Sequence, residues 1–573
     1  MADAGTITVH ARRSSGPGPA DPAALAAVRA ALGPDADCTR RDLLIEHLHQ
    51  LQDHYLQLRS DHLAALAELM KLSLAEVHEV ASFYHHFDLA YPDAQGRYAE
   101  PAALTVRICD GIACELAGAQ RLLRELPAAL PAGVRVIAAP CIGRCEQAPA
   151  ATVHQHPVAR ATVPAVRAAV TSGARTHEPA PYADLAQYVA QGGYRALGEC
   201  LAGARSADDV IAELEASSLR GLGGAGFPAG RKWRIVRAEP APRLMAVNID
   251  EGEPGTFKDR WYLERDPHRF LEGLLIAAWA VGIDAIYIYL RDEYPGCRAI
   301  LERELAALRA ARPNLPQIER PNWTMPPIEL RRGAGAYICG EESAMIESIE
   351  GKRGMPRHRP PYVAQVGLFG RPTLEHNFET LYWVPDIVAR GAAWFASQGR
   401  RGRQGLRSFS VSGRVGKPGV KLAPAGITLD ELIAEHCGGM AEGHTLYGYL
   451  PGGASGGILP ASLADVPLDF DTLQPHGAFI GSAAVVVFSQ ADRATDVARN
   501  LMRFFEDESC GQCTPCRSGT AKVSTLIAGD RWDVGLLSEL SIVMRDASIC
   551  GLGQAAPNPV DCVLRYFAHE LKK

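Results

Sequence analysis

Eight of the fourteen cysteines in this 573-residue chain form two groups whose spacing suits metal binding. The first group is Cys109, Cys114, Cys141 and Cys145, which puts two thiols on each of two loops. A 2Fe-2S cluster needs two ligands for each iron, whereas structural zinc more often uses Cys-x2-Cys knuckles. We therefore predict a 2Fe-2S cluster at this group, with zinc as the alternative.

The second group combines Cys510, Cys513 and Cys516 with the remote Cys550. Three cysteines at this spacing, completed by a distant fourth, are typical of a 4Fe-4S cluster. A zinc site, the alternative, would more often show two separated pairs. We expect the other six cysteines to be buried apolar thiols. They are Cys38, Cys200, Cys297, Cys339, Cys437 and Cys562.

The stretch 221–233, GLGGAGFPAGRKW, could bind a phosphate group. Its glycines let backbone amides approach an anion, and Lys232 adds a positive charge. Gly221, Gly223 and Gly226 match a dinucleotide fingerprint, but that fingerprint needs a strand before it and a helix after it. Here a helical pattern precedes the loop and the predicted strand, 244–247, follows it. We predict a flavin or nucleotide site outside an ordinary Rossmann domain; a flexible turn is the alternative.

Two further loops, 248–253 and 333–342, also combine glycines with acidic residues. Carboxylates at a strand end can accept hydrogen bonds from a ribityl chain, a ribose or a nicotinamide amide, although a solvated turn is the alternative. Nicotinamides exchange two electrons at once and iron–sulfur clusters exchange one, whereas a flavin can do both. Two clusters beside a phosphate site therefore indicate a flavin that converts between the two.

Composition restricts the class of protein. The chain has 47% hydrophobic residues but no run of about twenty apolar residues, so we expect no membrane span. A net charge of −6 without a recurring basic block argues against a nucleic-acid partner. The first 22 residues lack the apolar core of a secretory signal, and we expect a cytoplasmic protein.

Changes in sequence pattern predict a multidomain α/β protein whose parts follow one another along the chain. They are a mobile N-terminal tail (1–36), a helical bundle (37–98), a small α/β 2Fe-2S domain (99–171), a linker (172–205), a flavin and nicotinamide domain that is Rossmann-like but not ordinary Rossmann (206–404), a β-grasp-like module (405–490) and a helical 4Fe-4S domain (491–573).

Four segments carry a resemblance to a known family. GLGGAGFPAGRKW, NIDEGEPGTFKDR, GAGAYICGEESAMIES and ESCGQCTPCRSG resemble the flavin-bearing NADH dehydrogenase subunit of respiratory complex I. Residues 40–160, with ASFYHHF and the first four cysteines, resemble its thioredoxin-like 2Fe-2S partner subunit. The two are fused here, as in diaphorase subunits of NAD-linked hydrogenases and beta subunits of bacterial NAD-dependent formate dehydrogenases. Four runs resemble the formate dehydrogenase type most: RRDLLIEHLHQLQDHY, LRGLGGAGFPAGRKWR, SVSGRVGKPGVKLAPAG and RDASICGLGQAAPNPV. The resemblance also implies that the domain at 206–404 binds FMN and NAD and that the module at 405–490 is of the soluble-ligand-binding type.

The resemblance implies binding sites for FMN and NAD. FMN would contact Gly221, Gly223, Gly224, Gly226, Lys232, Asn248, Asp250, Glu251, Gly252, Tyr337, Gly340, Glu341 and Asn377. NAD would stack near Phe227 and bond to Glu253 and Glu342, the predicted catalytic pair, with Arg359 and Tyr362 at its adenosine end. Four positions depart from the family pattern: Leu222 replaces the usual Arg, Arg359 the usual Lys, Tyr362 the usual Phe and His376 the usual Asn. The last change puts the flavin contact at position 376 in question.

These observations predict an NAD-dependent oxidoreductase subunit, a diaphorase. Formate would be oxidised on a separate alpha subunit that carries a molybdopterin Mo or W site and further iron–sulfur clusters. Electrons would enter through the 4Fe-4S cluster, reach FMN and leave as hydride on NAD; the reverse direction would reduce CO2 with NADH. The alternatives are a hydrogenase diaphorase, a complex I NADH dehydrogenase module, or a flavin-free iron–sulfur relay.

Overall fold

The computed structural model of the chain describes residues 19–37, 39–311 and 323–571. The chain divides into two compact units, the first ending at Pro101 and the second beginning at Ala102. Among the described residues, none of the helices has the length and apolar character needed to cross a bilayer.

The first unit is helical, as predicted. Its elements are α1 (Pro22–Leu32), α2 (Leu44–Tyr55), α3 (Ser60–Met70), α4 (Leu74–Phe83) and the short parallel strands β1 (Leu58–Arg59) and β2 (Leu89–Ala90). Leu44, Leu48 and Leu51 form the buried face of α2. Ser73 caps α4 in a reciprocal capping box with Glu76.

The expected N-terminal tail needs a correction. Residues 1–18 lie outside the described residues, but 22–32 form α1, with Val28 fully buried. Asp21 accepts a hydrogen bond from the Ala23 amide, and Pro22 occupies the first turn. The alanine-rich composition that indicated a tail also has the highest helix propensity, and with a cap it forms a packed helix.

The second unit begins with a four-stranded sheet of order β4-β3-β5-β6. Its elements are β3 (Leu104–Cys109), α5 (Ile112–Leu116), α6 (Ala119–Ala129), β4 (Val134–Ala139), β5 (Ala151–Val153), β6 (His156–Val158) and α7 (Val163–Thr171). Strands β3 and β4 are parallel, whereas β5 is antiparallel to both of its neighbours. Because parallel strands end at the same sheet edge, the loops after β3 and β4 meet there.

The predicted linker is wrong for its second half. It contains α8 (Leu185–Ala190) and α9 (Arg195–Leu201), and Tyr194 and Leu197 are fully buried in the core of the central domain. The Glu272 carboxylate, on the central domain, accepts hydrogen bonds from the amides of Tyr194 (2.8 Å) and Leu197 (3.2 Å). The glycine and proline signals that indicated a linker therefore mark turns between packed helices.

The central domain is built on the parallel sheet β10-β7-β8-β9. Its elements are α10 (Ala207–Ala216), α11 (Ala229–Ala238), β7 (Arg243–Ile249), α12 (Lys258–Leu263), α13 (Pro267–Val281), β8 (Ile283–Leu290), α14 (Pro295–Ala311), β9 (Ile328–Arg332), α15 (Glu342–Ile349), β10 (Thr373–Asn377), α16 (Phe378–Tyr382), α17 (Val384–Arg390) and α18 (Ala392–Ala396). The glycine loop lies between α10 and α11, and the strand β7 comes later, which confirms the predicted order.

Two smaller parts complete the chain. A mixed sheet of order β12-β11-β15-β13-β14 consists of β11 (Leu406–Gly413), β12 (Gly419–Pro424), β13 (Leu446–Leu450), β14 (Leu459–Pro460) and β15 (Ala484–Ser489), with the one-turn helix α19 (Leu429–Glu431). The C-terminal part is helical, as predicted: α20 (Ala494–Asp507), α21 (Thr514–Ile527), α22 (Val534–Ala547), α23 (Gly551–Ala555) and α24 (Asn558–Tyr566).

Candidate active site and cluster sites

The first cysteine group converges where β3 and β4 end. Cys109 closes β3, Cys114 lies on α5, and Cys141 and Cys145 follow β4. All four are buried, and the Sγ atoms of Cys141 and Cys145 lie 3.4 Å apart. The Ala150 amide lies 3.4 Å from Cys114 Sγ. Four buried thiols on two neighbouring loops, with a backbone amide beside one of them, fit a 2Fe-2S cluster.

The second group lies at two helix starts. Cys513 directly precedes α21, Cys516 lies in its first turn, and Cys550 directly precedes α23. Burial raises the pKa of the Cys516 thiol to about 11 and that of Cys550 to about 12. Burial raises the pKa of Cys200, Cys437 and Cys562 to about 11 as well, so this shift reflects burial, and the cluster assignment rests on the spacing of the four cysteines. Of the six other cysteines, Cys38 lies outside the described residues and the rest are buried, as predicted.

The glycine loop offers backbone donors to an anion. Gly221 donates to the Phe227 carbonyl (2.8 Å) and Gly226 to the Gly221 carbonyl (3.2 Å), which closes the loop. The amides of Gly223 and Gly224, between these bonds, donate to no acceptor in the described part of the chain. Gly226 has φ +67°, and a Cβ there would lie 2.6 Å from the Phe470 ring. Two adjacent free amides form the kind of concavity that binds a phosphate.

Two consecutive residues of α11, Lys232 and Trp233, contact two consecutive residues of β10, Glu375 and His376. Lys232 Nζ donates to the Glu375 carbonyl and to Glu375 Oε2, both at 3.0 Å. Trp233 Nε1 donates to His376 Nε2 at 2.6 Å, and both side chains are buried in the domain core. Burial and the charge of Lys232 hold the pKa of His376 well below its usual value. His376 therefore packs in the core, which accounts for its departure from the expected asparagine.

The acidic loop after β7 holds an unsatisfied carboxyl oxygen. Asp250 Oδ2 is buried and has no hydrogen-bond partner among the described residues, and burial raises the pKa of this carboxyl well above its usual value. Asn248 Nδ2 donates to the Gly340 carbonyl at 2.8 Å, which ties this loop to the third glycine-rich loop. At Gly252 a Cβ would lie 3.2 Å from the Tyr337 ring. A buried acceptor that awaits a donor fits a hydroxyl-bearing ligand such as the flavin ribityl chain.

Glu251 uses its carboxylate within the protein. It accepts hydrogen bonds from the amides of Asp259 (2.9 Å) and Arg260 (3.2 Å) at the start of α12, and from the Tyr294 hydroxyl (2.9 Å). Burial, followed by the nearby charge of Asp259, raises its pKa to about 7. The Glu251 carbonyl also accepts a hydrogen bond from Arg291, so both the carboxylate and the carbonyl of Glu251 have structural partners within the protein.

Glu253 is held partly by residues 453–455, and this contact was not predicted from the sequence. The Ser455 amide donates to Glu253 Oε1 at 2.8 Å, and the Tyr337 hydroxyl donates to Oε2. Gly453, with φ +78°, brings its backbone so close that a Cβ would lie 2.5 Å from Glu253 Cγ. Asn558 Nδ2 in turn donates to the Ser455 carbonyl at 2.9 Å. In the sequence, the glycine-rich run PGGASGG at 451–457 was the one feature that could have indicated a close backbone approach here.

The predicted nucleotide end of the site combines charge with exposed aromatic rings. Arg359 lies 2.8 Å from Glu342 Oε1 and also pairs with Glu341, which caps α15 through the amides of residues 343 and 344. Phe227 and Tyr362 are 39% and 56% exposed, so both rings are available to stack on a base or nicotinamide.

Asn377, which was predicted at the site, and Leu222, which departs from the family pattern, both have structural partners. Asn377 caps α16, with its Oδ1 accepting from the Glu379 amide at 3.0 Å, and its Nδ2 donates to Asp259 at 2.7 Å. Leu222, where an arginine is usual, is buried, and its amide donates to the Thr380 hydroxyl at 2.9 Å. Leu222 thus ties the glycine loop to α16, and Asn377 ties the end of β10 to α12.

Four family models match the chain. The Nuo51 FMN-binding domain matches residues 214–386, and the NADH-ubiquinone oxidoreductase-F iron-sulfur binding region matches 496–573. A thioredoxin-like [2Fe-2S] ferredoxin matches 34–173 and an SLBB domain matches 408–459. The predicted cofactor domains and the fold class are confirmed by these matches.

Relatives and a solved structure extend the likeness. An NADH-quinone oxidoreductase subunit of Rhizobium meliloti (strain 1021) is 42% identical over 393 residues, 67% of this chain and 93% of that protein. The 51 kDa subunit of NADH-ubiquinone oxidoreductase in Neurospora crassa is 41% identical over 64% of this chain and 76% of that protein. A structure of NAD+-reducing [NiFe]-hydrogenase in the H2-reduced state has 33% identity and a TM-score of 0.80, over 93% of both chains. The chain therefore belongs to the family of 51 kDa NADH dehydrogenase flavoproteins, and it carries FMN-binding, 2Fe-2S and 4Fe-4S domains.

Proposed function

We propose that this NADH dehydrogenase-type flavoprotein is the diaphorase subunit of an NAD-dependent formate dehydrogenase. The fusion of a thioredoxin-like 2Fe-2S domain to the flavin and 4Fe-4S domains in one chain supports a diaphorase subunit, but it does not separate formate from hydrogen as the electron source. The observation that carries formate is the resemblance of sequence runs in these domains and in the SLBB region to formate dehydrogenase beta subunits. The partner would be an alpha subunit with a molybdopterin Mo or W site and further clusters.

The side chains at the site suit binding of both redox partners. The free amides of Gly223 and Gly224 with Lys232 would hold the flavin phosphate, and Asp250 would accept from the ribityl chain. When bound, FMN exchanges two electrons with a nicotinamide and single electrons with clusters. Phe227 is exposed beside the glycine loop, where it would stack on NAD.

Glu253 and Glu342 complete the nicotinamide side of the proposal. Glu253 is fixed by Ser455 and Tyr337, so it presents a rigid acceptor rather than a mobile one. Glu342 is paired with Arg359, which would bring a cation towards the nucleotide phosphates. We propose that these carboxylates orient the nicotinamide by accepting hydrogen bonds from its amide and ribose.

Differences in cysteine exposure support electron entry through the 4Fe-4S cluster. Cys510, Cys513 and Cys550 are partly exposed, whereas the cysteines of the first group are all buried. Electron transfer from another polypeptide requires a cluster near the surface of this chain. We therefore propose that the partner docks beside the second cysteine group and that the 2Fe-2S cluster lies off this route.

A hydrogenase diaphorase is the second candidate. The solved NAD+-reducing [NiFe]-hydrogenase chain matches 93% of this chain at a TM-score of 0.80, and so includes the same fusion. Under this alternative the FMN and NAD chemistry of the chain is unchanged, and only the partner subunit and its metal differ.

Purification of the native complex through a tag on this chain tests the proposal. We expect molybdenum or tungsten in the complex and NAD reduction driven by formate. Nickel together with hydrogen-driven NAD reduction would replace formate with the second candidate. The isolated chain, assayed with NADH and an artificial acceptor, is the control that shows the diaphorase half intact in either case.

A further inference from the structure

We propose that Glu375 weakens the hold of the site on the flavin phosphate by engaging Lys232, and so sets how readily FMN exchanges. Glu375 is then a positioning residue, because it acts through Lys232. The inference rests on the proposed placement of the phosphate between the glycine loop and Lys232, which the experiment below tests separately.

Two of the three N–H donors of the Lys232 ammonium group are already used within the protein. An ammonium group has three donors, and Glu375 takes two of them, one at its carbonyl and one at Oε2, both at 3.0 Å. The Lys232 and Glu375 side chains are 24% and 12% exposed, so little water screens this pair. Lys232 can offer one remaining donor to a phosphate.

The orientation of β10 directs Glu375 towards the site. Along a strand, alternate side chains point to opposite faces. His376 points into the core against Trp233, so Glu375 and Asn377 share the other face. In the parallel pairing of β10 with β7, Asn377 lies opposite Asn248 at the strand ends where the acidic loop begins. A carboxylate thus stands beside the predicted phosphate site.

The charged side chains around Lys232 disfavour binding of the phosphate dianion. Lys232 and Arg359 are the cations of this cluster, and they face the carboxyl groups of Glu375, Glu342 and Glu341. Burial works against the charge of Lys232, but Glu375 and Glu342 outweigh it and raise the Lys232 pKa, so the ammonium stays charged. Because three acids oppose two cations, removing the Glu375 charge should favour phosphate binding.

Flavin binding to the flavin-depleted full chain tests the inference. Dissociation constants are measured by quenching of flavin fluorescence, for FMN and for riboflavin, which lacks the phosphate. We expect Glu375→Gln and Glu375→Ala each to bind FMN about three- to tenfold more tightly than the wild type, with riboflavin affinity unchanged. Glu435→Gln, which removes a carboxylate paired with Arg400 on the surface, is the matched control and should change neither constant.

The outcomes separate the inference from the flavin placement. Lys232→Met should weaken FMN binding at least tenfold, and in the Lys232→Met background the Glu375→Gln effect should largely disappear. Weaker or unchanged FMN binding by both Glu375 variants would overturn the inference while leaving the placement intact. Unchanged FMN binding by Lys232→Met would show that the phosphate lies elsewhere and would overturn both. Absorbance of the two clusters confirms that each variant is folded.

Discussion

The buried pair of Trp233 and His376 predicts a specific pH dependence of stability. Trp233 Nε1 donates to His376 Nε2 at 2.6 Å, so this nitrogen must be unprotonated in the folded chain. His376 is 2% exposed, and its pKa lies well below the usual value because of burial and of Lys232. Replacement of His376 by asparagine keeps an acceptor for the indole but removes the titration.

The sign and size of the effect follow from proton linkage. The unfolded histidine has a pKa of about 6.5, and the folded one is depressed. Below pH 6.5 the unfolded state binds more protons, so the free energy of unfolding falls as pH falls. Between pH 6.5 and 5.5 this group alone should cost about 1 kcal/mol, with a limiting slope of about 1.4 kcal/mol per pH unit.

Guanidinium unfolding followed by tryptophan fluorescence at pH 7.5, 6.5 and 5.5 measures this contribution. The wild type should lose about 1 kcal/mol more than His376→Asn between the two lower pH values. His358→Asn, at an exposed position of the same domain, is the matched control and should follow the wild type. If His376→Asn shows the same pH dependence as the wild type, the neutral buried histidine is refuted.

Four further substitutions test the site and the contacts that support it. Cys109→Ser should abolish the 2Fe-2S EPR signal and spare the 4Fe-4S signal, and Cys550→Ser should do the reverse; loss of both signals in either variant would contradict the assignment of two separate clusters. Gly226→Ala should lower stability by about 1–3 kcal/mol and release FMN, since the new Cβ clashes with Phe470 at positive φ; an unchanged melting temperature would contradict this. Glu272→Leu should cost about 1–3 kcal/mol and expose residues 182–201 to limited proteolysis, because it leaves buried amides without an acceptor; protection equal to wild type would count against the docking contacts.

The sequence predicted those parts of the site whose residue types recur at a recognisable spacing. The two cysteine sets are recognisable because cluster ligands must recur at short intervals on loops, as at Cys510, Cys513 and Cys516. The order of helix, glycine loop and later strand likewise followed from hydrophobic periodicity around 221–233, whereas the helix α11 directly after the loop was not predicted. These features are visible because each loop carries its own short pattern, even where two loops of one set, as at Cys550, lie far apart in the sequence.

Contacts between distant segments could not be predicted in this way. Ser455 reaches Glu253 across 202 residues, and Tyr194 reaches Glu272 across 78. Nothing in the short pattern around either residue specifies its partner, because such pairs arise only when separate elements pack. The face of β10 occupied by His376 is an intermediate case, since the twofold alternation of a strand predicts it once the strand is recognised.

Anaerobic titration of the isolated chain with NADH, followed by visible absorbance and EPR with flavin and iron quantified, shows whether electrons pass from NADH through the flavin to both clusters. We expect bleaching of the flavin band and the appearance of two distinguishable reduced-cluster signals. Full iron content with neither flavin bleaching nor cluster reduction would contradict the assignment of this chain as a nicotinamide-linked diaphorase.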